Sequence, residues 1–168
     1  MAAPHDEPIA STRREAMSVN MSWTRFLFST LTAALLMGLV GTLSQTQFVI
    51  ASLFAIGADI DLATRAEMTF ADLIGLGPAY FGIALIAFLA AFFCARWVTL
   101  RLPVPARLIY ALAGATGIAV ALILLESVFF GTQIIAGARE TIGKVAQIGI
   151  GGACGYLFAA FNSPGNAQ

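Results

Sequence analysis

The chain has 168 residues, 59% of them hydrophobic and only 11% charged, and its formal net charge is zero. Soluble domains carry roughly 25% charged residues and need a polar skin that this composition cannot supply, so a soluble globular protein is excluded. Lys and Arg are scattered with no basic stripe to neutralise phosphates, which excludes nucleic acid as a partner.

Taken in chain order, the hydropathy pattern predicts an all-α membrane protein, a four-transmembrane-helix bundle with short interfacial helices in its first outer loop. Residues 1–22 are polar and Pro-containing and read as a disordered cytoplasmic tail, with Met17 and Met21 as alternative starts. His5, the only histidine, lies there, away from any site. A membrane domain over 23–162 follows, then a short tail, 163–168. Stretches of about 20 apolar residues place the spans at 26–43, 78–97, 108–130 and 145–161. A cleaved signal peptide competes for the first span, but "GTLSQTQ" offers no small-x-small cleavage site.

Orientation follows from the basic residues of the connections. Arg13, Arg14, Arg25, Arg96, Arg101 and Arg107 fall on one side, and Arg65, Arg139 and Lys144 on the other. This bias puts both termini in the cytoplasm, in what we expect to be a bacterial inner membrane, with Trp23 and Trp97 at the inner interface. The glycosylation pattern at Asn20 then faces the cytoplasm and is silent.

The outer loop, 44–77, is too long for a mere connector. Its first part, "QTQFVIASLFAIG", is too short to cross and is expected to lie in the interface or dip in as a re-entrant turn. Its second part carries Asp59, Asp61, Glu67 and Asp72 against Arg65. Thr64-x-x-Glu67 and Thr69-x-x-Asp72 fit the capping-box pattern and predict two short surface helices. Gly75 and Gly77 break the second, and Pro78 opens the next span where a missing amide costs nothing. Asp59-Ile-Asp61 invites a metal, but Ala63 and Thr64 stand where a calcium loop needs a ligand and a glycine. No metal and no cofactor is expected.

Glu126 is the one carboxylate inside an apolar run, "ALILLESVFF". Entering at Leu108, the helix reaches Glu126 after about 27 Å, near the far edge of a ~30 Å core. Arg139 and Lys144 lie at the same depth, and pairing with either lowers the cost of a carboxylate there. The expected role is an ion pair that pins the third and fourth spans; a proton or substrate contact and a contact with another subunit are the alternatives. Glu140 and Lys144 form an i,i+4 pair. Gln147, one turn on, is placed to hydrogen-bond to another helix.

The fourth span carries Gly149, Gly151, Gly152, Ala153 and Gly155, a close-approach face for which Ala113-x-x-x-Gly117 is the expected complement. "GARETIGK" is not a phosphate loop, because its spacing fails and Val145 stands where a hydroxyl is needed. Cys94 and Cys154 read as small apolar fillers.

No nucleophile–base pair, nucleotide motif or haem-type histidine appears, so no catalytic residue is assigned. The sequence favours a non-enzymatic accessory, assembly or structural subunit that packs against a membrane partner or itself, with the lipid bilayer as its surroundings. The alternative is a small oligomeric channel or transporter with Glu126 and Gln147 near an outer vestibule. A membrane-embedded enzyme on lipid-type substrates, using the outer-loop acids, comes third.

Overall fold

The computed structural model describes residues 23–128 and 141–162. They form five helices: α1 Trp23–Ala55, α2 Leu62–Gly75, α3 Gly77–Thr99, α4 Ala106–Val128 and α5 Thr141–Asn162. The described residues contain no strand. By length and composition, α1, α3, α4 and α5 can each cross a membrane. Both tails, Arg139 and Glu140 lie outside the described residues, so the expected Glu140–Lys144 pair does too.

The four long helices pack in a ring, α1 on α3 and α5, and α4 on α3 and α5. Cross-helix contacts fix antiparallel neighbours: Gly38 and Gly41 of α1 meet Phe81 and Tyr80 of α3, and Ser29 at one end of α1 bonds Asn162 at the end of α5. The core has two characters. Around the α3–α4 connection it is aromatic: Phe92 stacks on Phe88 at 4.9 Å, meets Phe158 at 4.4 Å, and meets Tyr110 edge-on at 5.7 Å between centroids. Offset and T-shaped pairs of this kind suit the ring quadrupoles and fix the rotamers. Toward the opposite end the buried side chains turn polar, with Thr42, Gln45, Thr46 and Gln147 all enclosed.

The outward faces of the long helices are apolar too. Ile86, Leu112 and Ile123 are 73%, 67% and 62% exposed. A helix of a soluble bundle would show charged residues there, so this is the pattern of helices that face hydrocarbon.

The outer loop departs from expectation in two places. The segment from Gln45 to Ala55 is neither a re-entrant turn nor a separate surface element, because it continues α1 without a break. Glutamine is a good helix former, and no glycine or proline interrupts until Gly57. There φ is +86°, and the Gly57 and Ala58 amides donate to Phe54 and Leu53 carbonyls at 3.0 and 3.1 Å. That pairing is a Schellman stop, which needs a left-handed residue.

The two capping-box helices are instead one helix, α2. Its N-cap is Asp61, whose carboxylate accepts the Thr64 amide at 3.0 Å. Thr69 lies mid-helix and returns its hydroxyl to the Arg65 carbonyl at 2.8 Å. Asp72 is drawn away from capping because it accepts a hydrogen bond from Thr46 of α1 at 2.8 Å.

Leu76 alone separates α2 from α3. Its amide donates back to Asp72 at 2.7 Å while its carbonyl accepts from Tyr80 at 2.8 Å, so it closes one helix and opens the next. Pro78 falls in the first turn of α3, as its missing amide requires.

Candidate functional site

The polar half of the core brings side chains of α1, α3 and α5 together. Gln147, fully buried on α5, joins three helices. Its Oε1 accepts the Tyr80 hydroxyl of α3 at 2.7 Å, and its Nε2 donates to the Gly41 carbonyl of α1 at 3.0 Å. Gly41 makes this approach possible: a Cβ there would come within 2.6 Å of Tyr80 Cε1 and 3.2 Å of Gln147 Oε1. Amide and hydroxyl thus satisfy each other where water is excluded, as buried polar groups must.

One turn nearer the α2 end, the single proton of the Thr46 hydroxyl is shared between Asp72 Oδ2 at 2.8 Å and the Thr42 carbonyl of its own helix at 3.0 Å. Arg65 of α2 donates through Nε to Gln47 Oε1 at 3.1 Å and through a second nitrogen to the same oxygen. The Thr42 hydroxyl is buried with no hydrogen-bond partner.

Glu126 sits in the last turn of α4, where Lys144 Nζ reaches its Oε2 at 2.9 Å. The two side chains are 38% and 34% exposed, so the pair lies at the rim of the core rather than within it. Asp59, Asp61 and Glu67 are exposed and do not converge with it. Asp61 is held below the usual carboxylate range by its side-chain bond to Thr64. No group of three His, Cys, Asp or Glu poised for a metal occurs among the described residues. Cys94 and Cys154 are both free thiols.

The small-residue face of α5 divides in two. Gly151 and Gly155 are pressed against α4: a Cβ on Gly155 would strike the Tyr110 carbonyl, and one on Gly151 would lie 2.6 Å from Ile118 and 2.9 Å from the Gly114 carbonyl. Gly152 meets Ala111 more loosely, at 3.4 Å. Gly149 has nothing within 4 Å, and Ala153 is exposed. The complement on α4 is therefore Gly114 with Tyr110 and Ala111, and not the expected Ala113–Gly117 row. Gly117 turns to α3 instead, where its Cβ would meet Ala91 at 3.0 Å.

Tyr80, Gly41, Thr42, Gln45 and Thr46 were not singled out by the sequence pattern. The signal available was the polarity or smallness of Gly41, Thr42, Gln45 and Thr46 at the end of the first span and just beyond it, and a tyrosine two residues past Pro78.

What the fold defines is an all-helical bundle with four helices able to cross a membrane and a polar network across three of them. No family model, curated protein or solved structure matches the chain.

Proposed function

We propose that the protein is a non-enzymatic accessory subunit of a membrane assembly, with four spans in an inner membrane, both termini cytoplasmic and α2 as its partner-facing helix. The observation that carries this reading is an exposed apolar row on α2. The half-buried side of the helix holds Met68, Asp72 and Leu73, with Asp72 bonded to α1, while Phe70 and Ile74, one turn apart, point outward at 66% and 76% exposure beside the exposed Arg65 and Glu67. Exposed apolar rows of this kind mark protein or membrane contacts, and the open Gly149–Ala153 row on α5 offers a second close-approach surface within the bilayer.

The polar groups meanwhile bond to one another across the helices instead of facing a pocket, which is the arrangement of a scaffold. A channel through one bundle is disfavoured because Phe88, Phe92, Tyr110 and Phe158, each at most 1% exposed, fill the space between the helices. Photo-crosslinking from position 70 in the native membrane, followed by purification in mild detergent, tests the proposal. One stoichiometric protein adduct is expected. Adducts to lipid alone would end the accessory reading and leave α2 as an interfacial anchor.

A further inference from the structure

A second feature lies along the seam between α3 and α4. They leave an open groove of about 540 Å³ whose floor is made by small residues, among them Ala87, Ala90, Ala91 and Gly117. Along α3, Ile83, Ala87, Ala90 and Cys94 line it. The spacings of four, three and four residues continue on α3 to Trp97, and Arg101 follows in the turn just past the end of the helix. That turn is closed by the Arg101 amide, which donates to the Val98 carbonyl at 3.0 Å. The Arg101 guanidinium lies 5.2 Å over the Trp97 ring. The apolar recess is thus followed in the chain by an indole at 65% exposure and then by a cation.

Among the described residues, charge at this end is of one sign. Between Asp72 and Glu126 the only charged residues are Arg96, Arg101 and Arg107. Asp59, Asp61, Glu67, Asp72 and Glu126, the carboxylates among the described residues, all lie toward the other end of the bundle. Arg107 faces Tyr156 at 5.9 Å and adds to the positive field, as does the N-terminal end of α4.

We propose that this groove binds one anionic phospholipid, of the phosphatidylglycerol type, from the leaflet that faces the α3–α4 connection. The phosphate sits on Arg101 beside Trp97, and an acyl chain lies along Cys94, Ala90 and Ala87. One leaflet of about 15 Å corresponds to about ten helical residues, the run from Trp97 to Ala87. Small side chains make the recess, the apolar wall suits a hydrocarbon chain, and the arginine field selects net negative charge over a zwitterion.

The inference rests on reading the long helices as membrane spans, and the test separates the two. Full-length protein carrying Trp23→Phe, which leaves Trp97 as the sole indole, is reconstituted in bilayers containing lipids brominated on their acyl chains. Brominated phosphatidylglycerol should quench Trp97 with an apparent association about fivefold tighter than brominated phosphatidylcholine, the factor expected for about one arginine contact near the surface. Arg101→Gln should bring that ratio close to one, and Ala90→Phe, which fills the recess, should lower it while leaving Arg101 in place. Equal quenching by both lipids overturns the proposal. So does a preference that survives either substitution, or protection of Trp97 from both lipids by a second copy of the chain. Absence of quenching in a monomer would instead remove the membrane reading itself.

Discussion

Replacing Gln147 by methionine keeps the length and volume of a fully buried side chain but removes both of its hydrogen bonds. The Tyr80 hydroxyl loses its acceptor, and the Gly41 carbonyl loses its cross-helix donor. Side-chain hydrogen bonds between membrane helices are worth ~0.6 kcal/mol on average, and a buried hydroxyl left without a partner costs about 1 kcal/mol or more. Two lost bonds and one orphaned hydroxyl bring Gln147→Met to about 2 kcal/mol of destabilisation. Tyr80→Phe loses one bond and orphans the amide oxygen, for about 1.5 kcal/mol. The double variant loses the same bonds but orphans neither side chain, so it should cost about 1 kcal/mol, less than Gln147→Met alone. Reversible unfolding in mixed dodecyl maltoside and sodium dodecyl sulfate micelles measures all three. Additivity of the two single variants within about 0.5 kcal/mol would refute the claim that one node joins α1, α3 and α5.

Gly155→Ala should force α4 and α5 apart and destabilise by about 1–3 kcal/mol, whereas Gly149→Ala, with open space around it, should be neutral or stabilising by up to about 1 kcal/mol; the same unfolding assay compares them. Glu126→Gln should cost no more than about 1 kcal/mol, because the pair with Lys144 is over one-third exposed and screened. The charge-exchanged Glu126→Lys/Lys144→Glu double variant should fold better than either single variant, and its expression level reports this. The lowered pKa of Asp61 means that its cap contributes above the ordinary carboxylate range and is lost as pH falls through the folded-state value. The Thr64 amide NMR shift should titrate with a midpoint below the reference 3.8, and Asp61→Asn should abolish the titration while keeping the cap.

Uninterrupted apolar length was enough to locate the long helices, because backbone groups in hydrocarbon leave little choice but a helix. It did not locate the end of α1. Gln45 and Gln47 fell in what looked like a loop, but both lie within α1, and Arg65 of α2 packs back on Gln47. Thr64 and Thr69 looked like caps because local pattern carries no information about a hydroxyl's helical neighbours or about Asp72 being engaged by Thr46, 26 residues away. For the polar network, Glu126, Lys144 and Gln147 stood out as polar groups in apolar surroundings. Tyr80 and Gly41 did not, since a tyrosine near a span end and a glycine within one have many ordinary uses. The glycine face of α5 was visible, but which half met α4 depended on helix rotation, a tertiary quantity.

Leu76 gives the molecule a mechanical property. With no loop between α2 and α3, and with its amide and carbonyl committed to different helices, the joint has no slack. Tyr80 stands one helical turn beyond it. A rotation of α2 would therefore bear, through a single helical turn, on the hydroxyl that ties three helices together.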